Sequence, residues 1–173
     1  MFARTGYSDV CGSVTAMRSL VEFVNELAGI LYVGGIASHI VIGATVGTPD
    51  AETAHTVYTY KELSAYILIL PGLALKIVCD LILYFHFDER ANWMKAKAVM
   101  MAFLTVNAFV FLVPMMPELR ALAEAAIPTG DLTAFHALES REALVGMSNA
   151  IPLVLELILG HFKPRLFAER RSV

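Results

Sequence analysis

Four long apolar stretches constrain the fold of this chain more than any other feature. They cover residues 20–46, 63–87, 98–116 and 143–162. The hydrocarbon core of a bilayer is about 30 Å thick, and a helix needs about 20 mostly apolar residues to cross it. Of the 173 residues, 57% are hydrophobic and 17% are charged, whereas a soluble domain has about 45–50% and 25%. We therefore predict an all-α fold, a transmembrane up-down four-helix bundle.

The distribution of Lys and Arg around the four spans predicts their orientation, because these residues resist translocation when they lie in short flanking segments. One side has three of them, namely Lys61, Arg120 and Arg141. The other side has nine: Arg4, Arg18, Arg90, Lys95, Lys97, Lys163, Arg165, Arg170 and Arg171. We expect a cytoplasmic N-terminal segment (1–19), a membrane domain (20–165) and a basic cytoplasmic C-terminal tail (166–173), in a bacterial-type inner (plasma) membrane.

Polar side chains are scarce within the spans, and the few ionisable ones fall at similar depths. Counted inward at 1.5 Å per residue, Lys76 lies roughly 16 Å from the cytoplasmic end of its span, Asp80 roughly 10 Å and Glu156 roughly 9 Å. Ionised groups in hydrocarbon turn inward and find partners, and the i, i+4 spacing of Lys76 and Asp80 lets them pair directly. The predicted buried polar cluster has five members: Lys76, Asp80, Glu156, Asn107 and Asn149.

The sequence allows two interpretations of this cluster. One is a structural ion network that fixes the register of the helices. The other is a functional site, either a proton or ion relay or a polar cleft for an anionic ligand, because intramembrane ionisable groups mark such pathways. A stripe of small and polar residues on the first span, which includes Asn25, Tyr32, Gly35 and His39, is predicted to face the same interior.

Five histidines are candidate ligands for haem or a metal, because imidazole is the commonest protein metal ligand and an axial ligand of haem. His39, His55 and His136 belong to the outer half or its loops, whereas His86 and His161 lie at the inner ends of two spans. We favour interfacial histidines that hydrogen-bond to water and headgroups, and we keep haem b and copper as the alternative cofactors.

Other function classes are disfavoured by composition and motifs. The net charge of −3 gives no basic footprint for nucleic acid. Cys11 and Cys79 lie in unrelated contexts without metal-type spacing. The sequence contains no P-loop, GxSxG or HExxH motif, so we predict no catalytic residues.

Several short motifs follow one another in a recognisable order. They are Tyr32-Val33-Gly34-Gly35, Leu70-Pro71-Gly72, Trp93-x-x-x-Lys97, Asn149-x-x-Pro152 and Lys163-Pro164. With them the chain resembles a superfamily of small four-span proteins that includes CopD-like copper-resistance domains and HemJ-type protoporphyrinogen oxidases, and it fits an uncharacterised branch. The resemblance implies an up-down four-helix bundle and, in some members, binding of haem, porphyrin or copper.

Two departures from that pattern affect the implied chemistry. Asn107 stands approximately where HemJ-type enzymes have a histidine, and Asn149-Ala150-Ile151-Pro152 lacks the acid of the Asn-Glu-x-Pro pattern. The oxidase activity is therefore not carried over to this chain.

The function predicted from the sequence is that of an integral inner-membrane binding or accessory protein, which could be a subunit of a larger membrane complex. The alternatives are a haem-, porphyrin- or copper-handling membrane protein and a proton-coupled transporter that acts as a dimer. The expected partner is the lipid bilayer, together with a second copy or a larger complex. Gly43 and Gly47, a small-xxx-small pair, are the sequence signal for a homodimer.

Overall fold

The computed structural model describes the backbone of residues 5–166 and the side chains of residues 14–166. Most of the predicted basic tail (166–173) and part of the predicted N-terminal segment (1–19) therefore lie outside the described residues. Arg4, Arg170 and Arg171, which contribute to the predicted orientation, also lie outside them.

Within the described residues the fold is entirely helical, as predicted, and no strand occurs there. Two short π-helical segments, Ala65–Ile69 and Asn107–Leu112, interrupt the α-helices. The α-helices are α1 (Thr5–Val46), α2 (Ala51–Ser64), α3 (Leu70–Phe85), α4 (Asn92–Val106), α5 (Val113–Ala126), α6 (Thr133–Ser148) and α7 (Ala150–Phe162).

These elements join into four helices that are long and apolar enough to cross a membrane. They cover Val14–Val46, Ala51–Phe85, Asn92–Ala126 and Thr133–Phe162. Each begins before the corresponding predicted span, and the third also continues past it. The largest correction is to the fourth, which we predicted to begin at Ala143. Instead, α6 runs from Thr133 to Ser148 and leads directly into α7.

Proline explains the irregular turns within the long helices. Pro71 and Pro114 each begin the α-helical turn that follows a π-helical segment. A proline supplies no N–H, and its ring clashes with the carbonyl four residues earlier. In both cases that carbonyl lies within the π-helical segment, whose wider turn accommodates the ring. Pro152 likewise follows the break between α6 and α7 at Asn149.

Acidic side chains lie at the starts of α2 and α6. The Asp50 carboxylate accepts a hydrogen bond of 2.8 Å from the backbone N–H of Thr53 at the start of α2. Asp131 accepts one of 3.0 Å from the N–H of Thr133 at the start of α6. These bonds satisfy backbone donors that the helix itself leaves unpaired, and they hold the pKa of both carboxyl groups below the usual value.

α1 and α3 approach each other closely where they cross. A Cβ atom added at Gly72 would lie 2.8 Å from the backbone nitrogen of Tyr32 and 3.0 Å from the carbonyl oxygen of Ala28. A Cβ added at Gly35 would lie 2.6 Å from the Ile69 side chain. Small residues let helix backbones approach in this way where lipid gives no hydrophobic drive for association. The predicted inward stripe of α1 is accordingly buried at these positions.

The other long helices pack in pairs around three groups of buried apolar residues. α2 packs on α5, and α4 packs on α7. The central group joins all four helices and consists of Tyr32, Leu73, Met101, Leu104 and Ala108, with Leu153 against it. The exposed surface of the four long helices is also apolar, and its most exposed large side chains include Ile30, Ile40, Ile67, Phe85, Ile151 and Phe162.

Gly43 and Gly47 differ from each other in their structural role. Gly47 has a φ of +65°, follows the last residue of α1 and donates a backbone hydrogen bond of 3.2 Å to the carbonyl of Gly43. Glycine is favoured at such a left-handed helix end. Gly47 is therefore explained by helix termination, without a second copy of the chain.

Candidate functional site

Four charged side chains from three helices, three of them buried and Asp80 partly buried, meet toward the end of the helices that holds Lys163, and we call them the charge cluster. They are Lys76 and Asp80 of α3, Lys97 of α4 and Glu156 of α7. Lys76 Nζ lies 3.2 Å from Glu156 Oε1, and Lys97 Nζ lies 3.5 Å from the same oxygen. Lys97 Nζ also donates a hydrogen bond of 2.6 Å to Asp80 Oδ1.

The amide of Asn25 on α1 connects the charge cluster to the remaining long helix. Its Nδ2 donates a hydrogen bond of 2.6 Å to Asp80 Oδ1, and its Oδ1 accepts one of 3.4 Å from Lys76 Nζ. A single neutral side chain thus contacts both a cation and an anion. All four long helices are held together at this level.

The charge cluster is deeply buried and balanced in charge. Lys76 is 6% exposed, Lys97 3% and Glu156 0%. With both carboxylates ionised, two positive charges offset two negative ones. Balance matters because an uncompensated ion in a medium of low dielectric constant is strongly disfavoured, whereas close opposite charges restore part of the lost solvation.

Glu156 is unusual because its carboxylate oxygens accept no hydrogen bond within the described residues. Both lysine ammonium groups lie at ion-pair distance from Glu156, but neither is angled to donate a hydrogen bond to it. An ammonium has three donors, and here Lys76 uses one on Asn25 and Lys97 one on Asp80. The charge cluster therefore keeps spare donors on the lysines and spare acceptor positions on Glu156.

A cleft of about 670 Å³ opens beside the charge cluster, between α1 and α7. Lys76, Lys97 and Glu156 lie at its base, and Trp93 also lines it. Its walls are mainly apolar or glycine, and they include Gly29, Ile30, Val33, Gly34, Leu157 and Gly160.

The glycines of the two walls leave space above the lysines. A Cβ added at Gly29 would lie 3.4 Å from Lys76 Nζ, and one added at Gly160 would lie 3.5 Å from Lys97 Cε. At Gly34, farther along the α1 wall, a Cβ would meet nothing within 4 Å. A larger side chain at Gly34 would thus occupy the cleft without a clash at its Cβ.

A more exposed ion network lies at the end of the molecule that holds Lys163, beside the cleft. Glu22 pairs with Arg18 at 3.3 Å and with Lys163 at 3.5 Å. Glu89 pairs with the same two cations at 3.0 and 3.6 Å. These pairs connect α1, the loop after α3 and the residue after α7, so they hold the three segments together beside the cleft. Such partly solvated pairs contribute about 0–1 kcal/mol each.

The structure divides the five residues of the predicted cluster into two groups. Lys76, Asp80 and Glu156 belong to the charge cluster. Asp80, however, bonds to Lys97 and Asn25, and not to Lys76 as the i, i+4 spacing suggested. Asn107 Nδ2 instead donates a hydrogen bond of 2.7 Å to Asn149 Oδ1. That pair joins a π-helical segment to the break between α6 and α7.

Sequence reasoning missed Lys97, which it assigned to the inner loop as an orienting charge. A signal was available in the spacing of buried residues along α4. They recur at steps of four, four, three and four on one helix face: Trp93, Lys97, Met101, Leu104 and Ala108. Lys97 therefore belongs to the interior face, and the loop before α4 is short.

A second polar group, at the end of the molecule opposite the charge cluster, was also missed. Lys61 Nζ lies 3.4 Å from Glu142 Oε2 and 4.4 Å from the centre of the Tyr58 ring. The Tyr58 hydroxyl donates a hydrogen bond of 3.1 Å to Glu142. Tyr58 is 1% exposed, so this group ties α2 to α6 within a packed region.

The five candidate histidines have separate local partners. Within the described residues, no group of three or more His, Cys, Asp or Glu side chains could hold a metal ion. The contacts are His39 with the Ser64 hydroxyl, His55 with Glu124 at 4.0 Å, His136 with Glu139 at 3.0 Å, His86 with the Phe87 ring and His161 with the Phe162 ring.

Comparison of the chain with protein-family models, curated proteins and solved structures gives no match. The resemblance to CopD-like and HemJ-type proteins thus stays a prediction from the sequence motifs.

Proposed function

We propose that this chain is an integral membrane binding protein of the inner (plasma) membrane, and that its cleft between α1 and α7 holds an amphipathic ligand from the inner leaflet. The observation that carries the proposal is the position of Lys76, Lys97 and Glu156 at the base of a largely apolar cleft. Apolar walls with a few convergent polar groups are typical of small-molecule sites.

An up-down bundle with both termini cytoplasmic is part of the proposal. Asn25 contacts Asp80, and His39 contacts Ser64. As residue numbers rise along α1, the residues that it contacts in the second long helix therefore have lower numbers. This supports an antiparallel pair. The excess of Lys and Arg at the end that holds Lys163 supports a cytoplasmic location for that end.

The cleft would then open toward the inner leaflet. Its mouth lies near Glu22 and Lys163, whereas Val33 and Gly34 lie farther along α1 toward the bilayer centre. A head group could reach the lysines while an alkyl chain lies along Ile30 and Val33. The volume of about 670 Å³ falls within the range of about 300–1,000 Å³ typical of ligand pockets.

Fluorescence of Trp93 gives a direct test, because Trp93 is the single tryptophan of the chain and lines the cleft. The protein would be placed in lipid nanodiscs and titrated with single-chain amphiphiles brominated on the second carbon from the head group, because bromine quenches tryptophan on contact and the head group would lie near Trp93 and Lys97. We expect a saturable component of quenching above the linear background from bulk lipid.

Two glycine variants on the same helix make the test specific. Gly34→Leu would fill the cleft and remove the saturable component. Gly43→Leu would leave it in place, since a Cβ at either position meets nothing within 4 Å but only Gly34 lines the cleft. Linear quenching alone in the parent protein, or equal loss in both variants, would contradict the proposal.

A further inference from the structure

We infer that the cleft selects amphiphiles with an anionic head and that Glu156 takes up one proton when such a ligand binds. This inference rests on the proposed function, because it concerns the same cleft. It assigns Glu156 the role of a built-in counter-anion that occupies the place of the ligand head in the free protein.

The first step of the argument is the position of Glu156 Oε1. It lies 3.2 Å from one ammonium and 3.5 Å from the other. A carboxylate, phosphate or sulfonate oxygen of a ligand would be attracted most strongly at this same position between the two positive charges. Both lysines line the cleft and keep unused donors. A ligand anion can therefore replace Glu156 as their partner.

The second step is the charge count. The charge cluster is neutral when Glu156 and Asp80 are ionised, so an added monoanion would leave one uncompensated negative charge in a buried site. Protonation of Glu156 restores neutrality. The proton comes from the aqueous phase and forms an O–H bond on a Glu156 oxygen, and no group is oxidised or reduced.

The third step decides which carboxylate accepts the proton. Asp80 Oδ1 accepts hydrogen bonds of 2.6 Å from both Lys97 and Asn25, and these stabilise its ionised form. Glu156 is fully buried and accepts no hydrogen bond within the described residues. Once a ligand head has taken both ammonium groups from Glu156, this carboxylate is left buried with neither a counter-charge nor a hydrogen bond, so Glu156 is the group that protonates in the complex.

Other ionisable groups face the charge cluster or the cleft, and none of them takes over this role. Tyr32 and Cys79 are buried and protonated, Glu22 and Lys163 pair with each other, and Glu26 and His161 are exposed. A proton on Glu26 or His161 would lie away from the two ammonium groups. It would not release Lys76 and Lys97 for a ligand.

The sign of the pH effect follows from this exchange. A bound anion disfavours ionised Glu156, so the complex holds one more proton than the free protein. Binding therefore takes up a proton and weakens as pH rises. Where one proton is taken up per ligand, the affinity falls by about tenfold per pH unit, as proton linkage requires.

The experiment uses Trp93 quenching in nanodiscs with a head group that does not titrate. The probe is an alkyl sulfonate brominated on the second carbon from the head group, and the neutral control is the alcohol of the same chain length brominated at the same carbon. We expect saturable sulfonate binding that weakens about tenfold per pH unit, with weaker and pH-independent binding of the alcohol. A pH-indicator dye in weak buffer should report uptake of one proton per bound sulfonate.

Glu156→Gln removes the internal anion and the proton acceptor together. This variant should bind the sulfonate with an affinity independent of pH, and at high pH more tightly than the parent protein. If Glu156→Gln does not fold, proton uptake by the parent protein decides the question alone.

The outcomes separate this inference from the proposed function. Saturable quenching by the sulfonate without pH dependence or proton uptake would overturn the inference and leave the binding cleft standing. Equal binding of sulfonate and alcohol would overturn it in the same way. No saturable quenching by either probe would reject the proposed function itself. Competition by free methanesulfonate would show that the head group alone is recognised, whereas no competition would show that the alkyl chain is needed.

Discussion

Paired replacement of Lys76 and Glu156 measures how strongly the charge cluster stabilises the fold. Lys76→Met leaves Glu156 with Lys97 alone, at 3.5 Å. Glu156→Met leaves Lys76 with only the 3.4 Å hydrogen bond to Asn25. Each single change therefore leaves an uncompensated charge in a cluster whose Lys76, Lys97 and Glu156 are at most 6% exposed.

The expected magnitudes follow from that burial. Breaking a buried ion pair by removing one partner costs about 3–5 kcal/mol, whereas replacing both partners with apolar residues is often neutral. The double variant keeps the pair of Lys97 and Asp80 at 2.6 Å. We expect each single variant to lose about 3 kcal/mol or more of unfolding free energy and the double variant to regain most of it, with a coupling of at least about 2 kcal/mol.

The assay is equilibrium unfolding in mixed micelles by added sodium dodecyl sulfate, followed by circular dichroism. Arg120 and Glu62 provide a matched control cycle, because their side chains pair at 2.8 Å but are 43% and 17% exposed. That pair should show a coupling of about 1 kcal/mol or less. Additive losses in the Lys76 and Glu156 cycle, with a coupling below about 0.5 kcal/mol, would refute the reasoning.

Three further stability changes can be measured in the same unfolding assay. Gly72→Ala should lose about 1–3 kcal/mol because its Cβ would lie 2.8 Å from the Tyr32 backbone nitrogen, whereas Gly43→Ala should not destabilise the protein; equal effects would contradict the proposed close helix approach. Leu104→Ala should lose about 2–5 kcal/mol because Leu104 is 0% exposed, and a loss under about 1 kcal/mol would indicate a looser core. Tyr58→Phe removes the 3.1 Å hydrogen bond to Glu142 and should lose about 0.5–1.5 kcal/mol; no loss would mean that Lys61 alone satisfies that carboxylate.

The sequence alone was sufficient for the helical fold class and for the four long apolar helices. Hydrophobic length determines these, and it is a property of each segment by itself. Counting depth along each span also put Lys76, Asp80 and Glu156 at compatible levels. It could not choose their partners, because a pairing between helices depends on how each helix is rotated about its axis.

Lys97 shows why charge counting near a helix end is ambiguous. The same residue serves as a loop cation if α4 begins after it and as an interior cation if α4 begins at Asn92. The short loop that contains Asp88, with its φ of +54°, sets that starting point. The cleft was beyond sequence reasoning, since it depends on the separation of α1 and α7, which lie far apart in the chain.

The most direct test of the charge cluster is a solid-state NMR measurement of proximity between lysine and glutamate side chains in bilayers. The protein would carry ¹⁵N at lysine Nζ and ¹³C at the glutamate carboxyl carbon, and dipolar dephasing would be compared between the parent and Glu156→Gln. Lys61 with Glu142 and Lys163 with Glu22 contribute to both samples, so the difference isolates Glu156. We predict strong dephasing from Glu156 that disappears in the variant, and identical dephasing in the two samples would contradict the placement of Glu156 between Lys76 and Lys97.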